Sequence, residues 1–222
     1  KGCIALAQHC LQTLGLEEDV TYHLSKWDPD NAEKYIGEPE VWEQTEQHIR
    51  NILNELNIPF VEDVGEAAFY GPKIDIQIKT ALGHDLTIPT CQLDFSLPER
   101  FDLTYVSEDG SKKRPVMVHR ALFGSLERFI GIITEHYAGA FPTWLAPVQV
   151  RVIPVNMNFH HAYCEELKKL LLDNGIRVEE DYRDEKLGYK IRESQTAKVP
   201  YTLVIGDNEV ANNLVTYRKH GT

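Results

Sequence analysis

Three short segments hold the residue types that bind anions, hydroxyls and metals. The first is Ala68-Phe69-Tyr70-Gly71-Pro72-Lys73-Ile74-Asp75. Gly71-Pro72 predicts a fixed turn that sets Tyr70 beside Lys73 where a strand begins. A lysine at a strand mouth binds a carboxylate or phosphate as a point charge, and tyrosine adds a hydroxyl. The alternative is a hairpin turn with a surface lysine. The second segment is Cys91-Gln92-Leu93-Asp94-Phe95, where strand alternation places Gln92 and Asp94 on one face, opposite Leu93. Two aligned polar residues either line a pocket or form the wet face of an ordinary sheet. The third runs from Pro115 to Phe129. An apolar strand delivers His119 at its end, and a helix follows whose Gly124-Ser125 pair allows close approach, with Arg128 on the face of Ser125. A strand-end histidine suits metal ligation or proton transfer, and a helical arginine at a pocket wall suits phosphate. A structural histidine and a surface arginine are the plainer alternatives.

Periodicity predicts the elements that position these groups. Cys3–Leu16 has helical spacing and Thr21–Ser25 alternates like a strand. Glu38–Leu56 is an amphipathic helix whose apolar side carries Trp42, Ile49 and Leu53. Its acidic residues Glu40, Glu43, Glu46 and Glu55 read as a solvated face. Short β-type runs follow at 59–64, 73–78, 86–88, 91–95, 103–106 and 115–118, which predicts an antiparallel sheet. An apolar helix spans 122–137. Phe141-Pro142-Thr143-Trp144-Leu145-Ala146-Pro147 breaks the pattern and divides the chain into 1–146 and 147–222. Beyond it come a strand (148–155), a helix (160–174), a strand (176–182), a helix (187–196) and strands at 201–205 and 214–218. That alternation predicts an α/β layer with a mostly parallel sheet, so the fold class is α+β followed by α/β. The expected covering helix after the last strand is missing. His160 and His161 read as surface residues.

With 222 residues, the chain suits one large or two modest domains. Its 42% hydrophobic and 26% charged residues exclude a disordered or collagen-like chain. No apolar run reaches the roughly 18–20 residues of a membrane helix. Cys3, Cys10, Cys91 and Cys164 include no CxxC pair and fit reduced cytosolic thiols. GxGxxG, GxxxxGK[ST] and GxSxG are all lacking, which weakens Rossmann, P-loop and hydrolase readings. A net charge of −11 argues against a nucleic-acid partner only until it is located. Residues 1–67 hold 4 basic and 14 acidic side chains, whereas 147–222 hold 11 of each. The acidity is local.

Taken together and in order, AFYGPKID (68–75), QLDFSLPER (92–100), HRALFGSLERF (119–129), FPTWLAPVQV (141–150) and DEKLGYKIRE (184–193) resemble the threonyl-tRNA synthetases. The resemblance covers nearly the whole chain. It implies a class II catalytic antiparallel sheet with helices in 1–146, then an α/β anticodon-binding domain in 147–222. It implies a threonine–tRNA ligase that forms threonyl-adenylate from threonine and ATP with Mg²⁺ and passes the threonyl group to tRNA(Thr). His119 matches a zinc ligand, where Zn²⁺ holds the amino and hydroxyl groups of threonine. A site that demands a polar partner rejects valine far better than one that senses a methyl. Arg128 matches the arginine of the family's third motif, which contacts ATP phosphate. With Lys73 it forms the expected catalytic set. Tyr70, Lys73, Thr90, Gln92 and Ser125 fall where the family lines its threonine and adenylate pocket, and Asp184, Glu209 and Arg218 where it reads the anticodon.

The same resemblance implies a cytoplasmic homodimer with no membrane role. It also places the family's first two motifs and two further zinc ligands, a Cys and a His, upstream of Lys1. A chain without them is expected to be a fragment that is inactive alone. Leu86–Thr90 lacks the polar and glycine residues many members place there. The rival readings are a non-catalytic synthetase-like protein that binds tRNA or a partner, and a related class II ligase for proline, glycine or histidine.

Overall fold

The computed structural model describes residues 1–18 and 20–221, in two compact units, Lys1–Ile132 and Ile133–Thr222. In the first unit, helix α1 (Gly2–Thr13) precedes β1 (Val20–Lys26). A 3-10 turn at Pro29–Lys34 leads into helix α2 (Pro39–Glu55), and Pro39 sits where its missing N–H costs nothing. Strands β2 (Phe60–Val64), β3 (Lys73–Lys79), β4 (Asp85–Asp94) and β7 (Met117–Ala121) complete a five-stranded sheet in the order β2-β1-β3-β4-β7. Between β4 and β7 lie a short helix α3 (Ser96–Arg100) and a small ribbon of β5 (Tyr105–Val106) and β6 (Lys112–Lys113).

The sheet is mixed, not wholly antiparallel as expected. β1 pairs β2 in parallel, because α2 carries the chain back across the sheet between them. The two strands predicted at 86–88 and 91–95 are one strand, β4, which passes through Pro89. The register against β3 shifts between Asp75 and Gln77, an irregularity that accommodates the proline. Alternation in β3 buries Ile74, Ile76 and Ile78, and Leu24 of β1 and Ile88 of β4 join them. Helix α1 covers this core with Ile4, Ala7 and Leu11, and α2 with Trp42, Ile49 and Leu53. Each leucine or isoleucine among them contributes on the order of 2 kcal/mol on burial.

Glu46 corrects the reading of α2 as having a wholly solvated acidic face. Its side chain is buried and Oε1 accepts the Trp27 N–H at 2.9 Å. Burial raises its carboxyl above the usual range, which the Trp27 bond and Lys26 only partly offset.

Helix α4 (Leu126–His136) crosses the division between the units and begins four residues later than expected. The reason is Gly124, whose positive φ of 59° turns the chain before the helix starts. The second unit then runs β8 (Val150–Pro154), α5 (Met157–Asp173), β9 (Val178–Glu180), α6 (Leu187–Thr196), β10 (Tyr201–Ile205), α7 (Asp207–Asn212) and β11 (Thr216–Lys219). Its sheet order is β11-β10-β8-β9, parallel throughout except for β11. Val150, Val152, Leu203 and Ile205 form its core with Cys164 of α5. The six-residue α7 was not anticipated, being too short to show a helical period.

His160 corrects a second expectation. It is buried: Nδ1 accepts the Asn156 N–H at 3.0 Å and Nε2 lies 2.9 Å from the Asp207 carboxylate. His161, one residue on, is exposed as expected.

Candidate functional site

Strand register assembles the first site. Ser25 of β1 pairs with Lys73 of β3, Lys73 with Gln92 of β4, and Gln92 with His119 of β7. These four form one rank across four adjacent strands, and ranked residues of a sheet share a face. In the next rank Asp75 pairs with Thr90. The sequence segments that looked separate therefore meet on one surface.

Hydrogen bonds join the ranks into a network centred on Asp75, which is 7% exposed. Its Oδ2 accepts Lys73 Nζ at 2.6 Å and Ser25 Oγ at 2.8 Å, and its Oδ1 accepts Thr90 Oγ1 at 3.0 Å. Gln92 Nε2 donates to Thr90 Oγ1 at 3.2 Å, and the Tyr70 hydroxyl donates to Gln92 Oε1. Gly71 makes this possible. A Cβ there would sit 2.0 Å from the Leu93 carbonyl oxygen, so only glycine lets the Tyr70–Lys73 turn lie against β4. Burial, with a smaller contribution from Asp94, raises the Tyr70 phenol, which keeps it a neutral donor.

His119 stands beside Tyr70, ring centroids 5.7 Å apart and edge to face. Its Nε2 lies 2.7 Å from Oδ2 of Asp94, a fully buried carboxylate. Oδ1 of Asp94 accepts the backbone N–H groups of Ser96 and Leu97 at 2.8 and 3.0 Å, capping α3. Burial alone would raise the Asp94 carboxyl, but the His119 and two backbone hydrogen bonds outweigh it and hold it below the usual range. Asp94 thus fixes the imidazole with Nε2–H toward the carboxylate and Nδ1 available as an acceptor or ligand. Among the described residues no three His, Cys, Asp or Glu side chains cluster to hold a metal. One ring nitrogen does not make a zinc site, so these residues by themselves do not fit the ion.

Gly124 sets the start of α4 over β4, where a Cβ would meet the Ile88 carbonyl oxygen at 3.5 Å. Ser125 Oγ accepts the Arg128 N–H at 3.3 Å and donates to Glu127 at 3.1 Å, so this hydroxyl serves the helix start. Arg128 is exposed and is not part of the bonded network among the described residues. An open cleft of about 490 Å³ reaches Lys73, Asp75 and Thr87 from the side of Glu62, Asp63 and Glu66.

The second unit distributes its predicted residues differently. Asp184 lies exposed after β9, and Glu209 follows β10 on α7, so both sit at the C-terminal edge of the parallel strands. Glu209 is bound inside the unit: Oε2 accepts the Gly206 N–H at 2.9 Å and Oε1 the Thr216 hydroxyl at 2.7 Å. The Thr216 bond first, then the Gly206 bond, hold its carboxyl low. Arg218 is exposed on edge strand β11, opposite Thr202. Near Asp184 opens a cavity of about 630 Å³ lined by Arg151, Arg183, Tyr189 and Arg192 among others. Arg183 grips Asp181 through Nε at 2.8 Å and Nη2 at 2.6 Å, and also pairs with Glu193.

Asp75 is the residue that spacing left without a role, and Asp94, paired with Gln92 as a possible pocket-lining residue, proves to anchor His119. Alternation along the strands puts Asp75 on the face of Lys73 and Asp94 on that of Gln92.

Residues 1–137 match the model of the tRNA synthetase class II core domain (G, H, P, S and T), and 149–222 that of the anticodon binding domain. The chain therefore belongs to the class II aminoacyl-tRNA synthetases of that family. Within it, the chain is similar to threonine–tRNA ligases. It is 51% identical to that of Oceanobacillus iheyensis over 98% of this chain and 34% of the relative. It is 56% identical to that of Lactobacillus acidophilus over 92% of this chain and 32% of the relative. The chain thus spans about a third of the length of these curated relatives. The crystal structure of the RNA binding domain of threonyl-tRNA synthetase from Cryptosporidium parvum superposes with a TM-score of 0.92 at 34% identity. It covers 100% of this chain and 54% of that one.

Proposed function

We propose that the chain is part of a threonine–tRNA ligase, with 1–146 belonging to the catalytic domain and 147–222 to the anticodon-binding domain. The observation that carries this reading is the bonded network of Tyr70, Gln92, Thr90, Asp75 and Lys73 beside the His119–Asp94 pair. Hydroxyl, amide and ammonium groups are held there in fixed positions by buried carboxylates, as a polar amino-acid pocket requires.

In the proposed reaction a carboxylate oxygen of threonine attacks the α-phosphorus of ATP. The bond to the β-phosphate bridging oxygen breaks, and pyrophosphate leaves with the electron pair. Lys73 and Arg128 bind the charge that accumulates on the phosphoryl oxygens, with Mg²⁺ accompanying ATP as substrate. Tyr70, Thr90, Gln92 and Ser125 orient the amino acid and adenylate. A ribose hydroxyl of tRNA(Thr) then attacks the mixed anhydride carbonyl and AMP departs. Asp184, Glu209 and Arg218 are assigned to anticodon reading in the second unit. His119 would offer one nitrogen to a zinc ion if a longer protein supplied further ligands; bound zinc would then be a Lewis acid for an amine and a vicinal hydroxyl. A cytoplasmic homodimer is the proposed setting.

Threonine-dependent exchange of pyrophosphate into ATP tests the reading. A full-length protein bearing this segment is expected to exchange with threonine and not with valine, and the isolated 222-residue chain is expected not to exchange. Loss of threonine dependence in the longer protein, with tRNA binding kept, supports the non-catalytic alternative instead.

A further inference from the structure

Helix α7 carries Glu209 and leads into the strand that carries Arg218, yet none of its six residues is buried. A helix that short does not persist by itself, and this one has no buried apolar side chain to anchor it. Polar ties hold it instead. Glu209 binds the Gly206 N–H before α7 and the Thr216 hydroxyl after it, which closes the segment on itself. Two side chains of α5 then tie the segment to the rest of the unit. The Tyr163 hydroxyl donates to the Leu214 carbonyl at 3.0 Å, and His160 reaches Asp207, the first residue of α7.

His160 is the buried member of this pair, 3% exposed near the start of α5. Its Nδ1 accepts the Asn156 N–H, which leaves the ring proton on Nε2 and aims it at Oδ1 of Asp207. The Asp207 side chain stands at the surface, so it satisfies a buried proton from outside the core. We propose that His160 is a positioning residue for tRNA: through Asp207 it sets the start of α7, and through α7 the placement of Glu209 and Arg218. The inference rests on the assignment of those two residues to the anticodon. Hydrogen bonds to base edges are directional, so a loosened α7 loses discrimination between anticodons before it loses contact with RNA.

The test separates the two ring nitrogens in a full-length protein bearing this segment. His160→Asn keeps an acceptor near the Nδ1 position for Asn156 and drops the link to Asp207. His160→Gln keeps a donor near the Nε2 position and drops the bond to Asn156. Filter binding measures affinity for a tRNA(Thr) transcript and for the same transcript with its anticodon bases replaced. His160→Asn is expected to weaken the cognate complex by about fivefold and to leave the other unchanged, so the ratio between them falls by that factor. Asp207→Ala is expected to match it, and the double variant to go no further, as groups acting through one bond do. His160→Gln is expected to discriminate as the wild type does. An equal fall for both transcripts, or a loss of discrimination in His160→Gln with none in His160→Asn, overturns the proposal, because the histidine then serves only α5 or the fold. Arg218→Ala tells the two failures apart. Discrimination lost in Arg218→Ala but intact in His160→Asn rejects the positioning role alone, whereas discrimination intact in both rejects the anticodon assignment and the proposal with it.

Discussion

The two units treat their polar residues in opposite ways. In the first, Lys73, Thr90, Gln92 and Tyr70 are bonded to one another around the buried Asp75, and His119 is bonded to the fully buried Asp94. In the second, Asp184 and Arg218 stand exposed, and Glu209 secures α7 to β11. A small ligand is recognised by groups whose positions are settled before it arrives, since ordering them on binding costs affinity. A nucleic acid is met by donors and charges that remain open to solvent. Charge follows the same division. The first 67 residues are strongly acidic, whereas residues 147–222 balance 11 basic against 11 acidic side chains.

Removing the first unit's cations breaks this contrast most sharply. In a full-length protein, Lys73→Ala or Arg128→Ala is expected to lower the rate of threonine-dependent pyrophosphate exchange by about 10²–10³-fold, as deleting one transition-state donor does. tRNA affinity measured by filter binding is expected to stay unchanged. An equal fall in both would show that the units do not divide the work.

Asp94→Ala comes next. It leaves His119 and two backbone N–H groups without their acceptor, and a cost of about 3 kcal/mol follows for the first unit. Urea denaturation followed by the fluorescence of Trp27 and Trp42, which stack at 5.9 Å, measures it. A midpoint within error of wild type would mean that Asp94 does not anchor the site.

Arg218→Ala is expected to weaken tRNA(Thr) binding by about tenfold while leaving pyrophosphate exchange intact, since one side-chain contact to a base is worth roughly 1–3 kcal/mol. A drop in exchange would place Arg218 in the wrong process.

The smallest effect is a pH dependence. Glu62 accepts Arg50 Nε at 2.6 Å, and this bond, together with Lys26, lowers its carboxyl to about 2 despite partial burial. Its folded pKa lies below the unfolded value, so its contribution is fully present above about pH 5. It is lost as pH falls toward 2. Glu62→Gln should therefore reduce Tm at pH 7 and converge with wild type near pH 2; a constant difference across that range would reject the pair as its source.

Much of the fold was legible because burial imposes periods. The isoleucines of β3 alternate, and Trp42, Ile49 and Leu53 recur at helical intervals on α2. Glu46 escaped, since its position resembles those of its exposed acidic neighbours and only the Trp27 N–H distinguishes it. His160 escaped for the same reason, its partners being Asn156 and Asp207, the latter 47 residues away.

The sequence by itself determined which residues alternate, where turns fall, and which segments resemble a known ligase family, because these depend on neighbours a few positions apart. Only the tertiary structure decided that Ser25, Lys73, Gln92 and His119 share one rank, and that Asp75 and Asp94 hold it. Strand order and register are set by the packing of whole elements, and local spacing carries no record of them.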